Sequence, residues 1–170
     1  HIAGQRVTDI LRDTGIDVDQ FIVPSFTVKD VRAVEEKIVE LKPRVVLGIG
    51  GGTKIDVAKL GSAHQEIPFI SIPTTASHDG IASCVVSLKG LNKPYSKMAQ
   101  SPMAIVADTS IIIQASHRFA ASGCGDVVAK FTAVRDWELA HKAKNEYYGE
   151  YAASLSLMSA KLVAEHADVI

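Results

Sequence analysis

Apolar positions along the chain follow two spacings, one near 3.6 residues and one of 2, and their alternation sets the expected elements. Ala3, Val7, Ile10 and Leu11 recur at helical spacing, Thr14-Gly15 supplies a C-terminal stop, and the alternation around Phe21 to Val23 predicts a strand. Thr27 with Asp30 three residues later predicts a helix N-cap, after which Val31, Val34, Ile38 and Leu41 line one face until Lys42-Pro43. Val45 to Ile49 reads as a second strand, a helix opens at Lys54 and runs to about Gly61, and Pro68 to Ile72 reads as a third strand ended by Pro73. The polar stretch Gly90 to Ser101 predicts a hairpin loop or a surface excursion, and Met103 to Ala107 a strand closed by Asp108-Thr109. Beyond that point helical character takes over. His117-Arg118 precede an expected Gly-Cys-Gly-Asp turn at 123 to 126, which places Asp126 near the start of a helix carrying Val127, Phe131, Val134 and Trp137. Tyr147 to about Ala167 is rich in Ala, Ser, Leu and Met on all sides, which predicts a helix buried against other helices. Strands alternating with helices of this length imply an α/β fold with a parallel sheet.

Composition narrows the class without naming a function. The 170 residues are 47% hydrophobic and 22% charged with a formal net charge of −1, an ordinary globular balance with no basic footprint for nucleic acid. No apolar run is long enough to span a bilayer, and a cytoplasmic location is expected. Cys84 and Cys124 lack zinc-finger or CxxC spacing and read as reduced thiols. The chain begins at His1 with no signal peptide, and is expected to be a piece of a longer protein.

Chemistry concentrates in three places. In Val45 to Leu60, VVLGIGGGTKIDVAKL, a strand breaks into Gly50, Gly51 and Gly52 and then into a helix. Three residues without Cβ let backbone N–H groups approach a ligand, and a helix start presents unpaired N–H groups and a positive dipole end, a site suited to phosphate. Thr53 stands where a dinucleotide fingerprint would carry its third glycine, so the competing reading is a turn that serves close packing; the glycines favour phosphate. The stretch Ser71 to Ser83, SIPTTASHDGIAS, follows a strand and gathers Thr74, Thr75, Ser77 and Ser83 around His78, Asp79 and Gly80. Its hydroxyls can donate to phosphate or carboxamide oxygens and Asp79 can accept from sugar or polyol hydroxyls, while the stretch taken alone favours a polar loop with an Asx-type turn at Asp79-Gly80. Asp126 is either an anion stabilising a helix start or a ligand for a metal or substrate, and its residues alone favour the first.

Taken together, GIGGGTKIDVAK, PTTASHDGIAS and SGCGDVVAKFTAVRDWELA, in that order, resemble the sn-glycerol-1-phosphate dehydrogenases, of the superfamily that includes glycerol dehydrogenase, iron-dependent alcohol dehydrogenase and dehydroquinate synthase. The resemblance covers nearly the whole chain, and SHDGIAS is the part particular to the family. It implies a Rossmann-like nucleotide-binding domain over 1–122 with N-terminal strands missing, and the truncated start of an all-α metal and substrate domain over 123–170. It implies that Gly50, Gly51, Gly52, Thr53, Lys54 and Asp56 hold the pyrophosphate of NAD or NADP, that Thr74, Thr75, Ser77 and Ser83 contact the nicotinamide half, and that Asp79 contacts the substrate. Asp126 would be a Zn2+ ligand and a neighbour of the substrate, the remaining ligands being histidines outside this chain; Asp79 and Asp126 are the implied catalytic pair. His64, His117, His141 and His166 match no family site. The implied reaction is reduction of dihydroxyacetone phosphate to sn-glycerol 1-phosphate by NAD(P)H, with zinc polarising the carbonyl, in an enzyme of lipid biosynthesis of which this chain alone is expected to be inactive. Two rivals stand beside it: a dehydroquinate synthase-like lyase and a nucleotide-binding module without catalysis. A homo-oligomer is compatible with every one of these readings.

Overall fold

The computed structural model describes residues 2–88 and 95–169, which form two compact units, one of residues up to 76 with 80–115 and one of 77–79 with 116–169. In the first unit, helix α1 (Ile2–Asp13) is ended as expected, with Gly15 at a φ of 81°. The strand expected at Phe21 to Val23 does not form: the segment is irregular, Phe21 and Ile22 are exposed, and the Val23 carbonyl accepts from Lys54 Nζ at 2.6 Å. Alternation makes a strand only where a neighbouring ladder takes up its N–H and C=O groups, and none does so among the described residues.

Helix α2 (Val28–Leu41) begins with a full capping box: Thr27 Oγ1 accepts from the Asp30 N–H, and the Thr27 N–H donates to Asp30 Oδ2. Val31, Val34 and Ile38 are buried against Val57 and Leu60 of helix α3 (Gly52–His64). Leu41, expected on the same face, is exposed, because the helix ends there as Lys42 turns left-handed (φ 49°) and Pro43 follows. Strand β1 (Val46–Gly50) pairs in parallel with β2 (Phe69–Pro73), Val46 opposite Phe69 and Gly50 opposite Pro73. Next come β3 (Val85–Leu88) and β4 (Tyr95–Met98), an antiparallel pair; the connecting residues of the expected Gly90 to Ser101 loop lie outside the described residues as far as 94. Strand β5 shrinks from the expected Met103 to Ala107 to Ala104–Ile105, which pairs in parallel with Ile70 and Ser71 and gives the sheet order β1-β2-β5. Asp108 then caps the short helix α4 (Thr109–Ile112) by accepting from the Ser110 N–H.

Helix α3 is the centre of this unit. It begins at Gly52, two residues before the expected start, and Ile55 and Val57 to Ser62 are buried on all sides. Two glycines serve packing here. A Cβ at Gly61 would meet Val34 Cγ1 at 2.7 Å, and one at Gly48 would meet the Phe69 ring at 2.7 Å and Ala58 Cβ at 3.1 Å.

The second unit holds α5 (His117–Val128), α6 (Lys130–Lys144), α7 (Glu150–Glu165) and a short 3₁₀ turn (Ala167–Val169). The turn expected at 123 to 126 is absent. Residues 123 to 126 are helical inside α5, and Asp126 therefore stands in the last turn of a helix and not at the start of one. The glycine at 123 is buried in this helix. The expected domain limit after 122 also falls within α5. On α7 the buried positions are Ala153 and Ala160, two turns apart, whereas Leu155, Met158 and Leu162 are exposed; the all-round burial expected for this helix reduces to a stripe of small residues. Trp137 packs on Tyr148 at 4.9 Å between centroids and donates from Nε1 to the Tyr147 carbonyl at 2.6 Å, fixing the α6 to α7 connection.

Candidate functional site

The first unit presents the glycine turn at the C-terminal end of β1. Gly50 has a φ of 147°, a region that L side chains rarely adopt, and a Cβ there would also meet Lys54 Cγ at 2.9 Å. Gly51 is the N-cap of α3 and supplies no side chain to cap it. The N–H groups that open a helix are left to be satisfied from outside it, so this start can receive an anion. The second predicted stretch lies beside the turn. Thr74 N–H donates to the Gly50 carbonyl at 3.0 Å, and Thr75 Oγ1 is 3.2 Å from where a Gly51 Cβ would stand. The glycine turn and Thr74-Thr75 are therefore packed side by side at the C-terminal ends of β1 and β2, and the missing Cβ atoms at Gly50 and Gly51 leave room for the Lys54 side chain and for Thr75 Oγ1.

The other residues predicted for the cofactor are placed differently. Thr53 is exposed one residue into α3. Lys54 directs its amine to the Val23 carbonyl. Asp56 accepts from Lys59 Nζ at 3.2 Å and from the Ser87 N–H at 3.4 Å, and Ser83 Oγ accepts from the Val85 N–H at 3.0 Å. Ser77 belongs with the second unit.

In that unit Asp79 and Asp126, 47 positions apart in sequence, meet: the Asp79 N–H donates to Asp126 Oδ2 at 2.9 Å. Lys130 forms an ion pair with the Asp79 carboxylate. Partial burial pushes the Asp79 carboxyl up, but the hydrogen bond and the charge of Lys130 outweigh it and hold the group below the usual carboxylate range. Asp79 is thus kept as an anion, an acceptor for hydroxyl groups, with an ammonium beside it that can meet a phosphate. Among the described residues no group of three or more His, Cys, Asp or Glu converges, and a metal held at Asp126 would draw its further ligands from elsewhere.

Two lysines, one in each unit, were not anticipated. Lys130 opens α6, four residues after Asp126 in the last turn of α5, and nothing in the order of residues pairs it with Asp79. Lys59, three residues after Asp56 on a helix otherwise buried, carried its signal in the sequence as a charge in an apolar stretch.

The family model described as iron-containing alcohol dehydrogenase matches residues 1–116. The chain belongs to the iron-containing alcohol dehydrogenase family. Among its relatives, the glycerol-1-phosphate dehydrogenase [NAD(P)+] of Methanosarcina mazei is 48% identical over 169 residues, covering 99% of this chain and 48% of the relative. That of Pyrococcus furiosus is 51% identical over 169 residues, covering 99% and 49%. A solved structure of a probable glycerol dehydrogenase from Sinorhizobium meliloti 1021 superposes with a TM-score of 0.79 at 19% identity, over 95% of this chain and 48% of that one, and shares the α/β fold. The chain spans about half the length of the curated relatives it matches.

Proposed function

We propose that this chain carries the nucleotide site and part of the substrate site of an NAD(P)-dependent dehydrogenase that reduces dihydroxyacetone phosphate to sn-glycerol 1-phosphate. The observation that carries the reading is the Cβ-free cradle of Gly50 to Gly52 with Thr74 and Thr75 packed beside it, in a chain about half identical to two enzymes named glycerol-1-phosphate dehydrogenase. The cofactor, when bound, supplies the hydride that converts a ketone to an alcohol. The residues of this chain bind and orient. Gly51 and Gly52 offer backbone N–H groups to the pyrophosphate at a helix start, and Thr74 and Thr75 offer hydroxyls next to it. Asp79, held ionised, accepts from a substrate hydroxyl, and Lys130 stands beside it to neutralise a phosphate. Asp126 braces the Asp79 backbone and is proposed as one metal ligand, zinc being the ion this reading favours. No described helix is long and apolar enough to cross a membrane; a cytoplasmic enzyme is part of the same proposal.

The deciding experiment incubates the full-length protein with NADH or NADPH and dihydroxyacetone phosphate, follows absorbance of the reduced cofactor, and resolves the product enantiomers. Stoichiometric oxidation with sn-glycerol 1-phosphate as product supports the reading. Cofactor binding with no turnover, or formation of the 3-phosphate enantiomer, overturns it. The Asp126→Ala variant of the same protein is expected to lose bound metal and activity together while retaining NAD(P)H binding.

A further inference from the structure

Lys59 has no accessible side-chain surface, and none of the roles above uses it. It lies in α3, the helix whose start carries the glycine turn. Its Nζ is 3.2 Å from Asp56 Oδ1, 3.0 Å from the Gly80 carbonyl and 3.2 Å from the Val85 carbonyl. An ammonium has three N–H donors and no lone pair, so these three oxygens engage all of them. A group in that state offers nothing to a substrate as nucleophile or base. Burying a charge costs several kcal/mol unless partners surround it, so the arrangement calls for a function that only a charge at this position performs. Its partners indicate one. The segment between the two carbonyls has no helix or strand of its own, and one cation holds both ends of it to α3. A further bond to α3 follows the segment, Ser87 N–H to Asp56 Oδ2 at 3.4 Å, and within the segment the Val85 N–H donates to Ser83 Oγ at 3.0 Å.

We propose that Lys59 is a positioning residue that fixes the segment Gly80 to Val85 against α3 and so presets Ser83 and the chain following Thr74 and Thr75 for a nucleotide bound at the glycine turn. The proposal rests on the reading above for the nucleotide, and on the three oxygens around Nζ for the clamp. Asp56 then acts through Lys59, as the carboxylate that orients and compensates the buried cation.

Hydrogen exchange of backbone amides in the full-length protein, with and without NADPH, tests it together with NADPH titration by fluorescence. In Lys59→Met, which keeps the volume and removes the charge, amides of 81–87 should exchange at least about tenfold faster while those of β1 and β2 are unchanged, and the Kd for NADPH should rise about tenfold. Lys59→Gln, with two donors left, should fall between wild type and Met. Unchanged exchange over 81–87 in Lys59→Met overturns the clamp; faster exchange with an unchanged Kd overturns its role in nucleotide positioning. Should both variants fail to fold, the wild type decides: 81–87 should be protected and NADPH should protect it further, and exchange as fast as an unstructured peptide overturns the proposal. A wild type that binds no NAD(P)H refutes the dehydrogenase reading, whereas a wild type that binds it equally well as Lys59→Met refutes only the present one.

Discussion

Replacing Gly51 by Ala separates nucleotide binding from folding. Gly51 has φ −79° and ψ 177°, a conformation open to any L residue, so the substitution introduces no backbone strain. The new Cβ would meet Thr75 Oγ1 at 3.2 Å, a contact relieved by a shift of a few tenths of an ångström. At an N-cap, Ala is worse than Gly by roughly 0.5–1 kcal/mol, which in a protein of this size lowers Tm by only a few degrees, about 2–4 °C per kcal/mol. On the proposed reading a phosphate is received by the N–H groups of this turn, and the added methyl group, wedged beside Thr75 Oγ1, crowds that approach. If it displaces one hydrogen bond to a charged oxygen, the loss is about 1.5–3 kcal/mol, or roughly a tenfold to hundredfold rise in Kd. Titration of the full-length protein with NADH and NADPH, read by cofactor fluorescence or calorimetry beside a thermal melt, measures both quantities on one sample. Gly51→Val, with two more methyl groups, should abolish detectable binding at the same modest cost in Tm. A folded Val variant that binds the cofactor with wild-type affinity would refute the cradle.

Three further outcomes are expected. Gly61→Ala places a Cβ 2.7 Å from Val34 Cγ1; overpacking of about 1–3 kcal/mol exceeds the roughly 1 kcal/mol gained in helix propensity, so urea unfolding should show net destabilisation that Val34→Ala in the same chain partly relieves, and strictly additive effects would disprove the contact. The Asp30 carboxyl is held down to about 2, against an ordinary 3.8, by hydrogen bonds from the Thr27 and Ser25 side chains. Its contribution to stability is therefore complete above about pH 4 and lost as pH falls toward 2, and Asp30→Ala should flatten the pH dependence of denaturant midpoints across that window; an unchanged slope would refute the assignment. Asp79→Asn, which removes the anion paired with Lys130, should lower kcat by about tenfold or more, the worth of one charged hydrogen bond, with no change in the Kd for NAD(P)H; an equal loss of cofactor affinity would make Asp79 a structural residue of its loop.

Local physics made much of the fold legible in the amino-acid order. The capping box of Thr27 and Asp30, the left-handed stop at Lys42 before Pro43, and the glycine break after β1 each depend on residues within a few positions of one another, so the chain alone specifies them. The three glycines likewise specified a turn between β1 and α3, because the absence of a Cβ is a property of the residue. Where partners are distant, the order of residues was silent or misleading. Phe21 to Val23 alternates like a strand but has no ladder to join among the described residues, and Gly123 and Gly125, which suggest a turn, lie inside α5, Gly123 buried and Gly125 with nothing near the place of a Cβ. That correction moved Asp126 from a helix start to a last turn, where its carboxylate meets a backbone N–H 47 positions away. Lys59 is the clearest case. Only the tertiary structure brings the carbonyls of residues 80 and 85 to its amine, because the ends of an irregular segment are fixed by the groups that fold against it and not by propensities of its own.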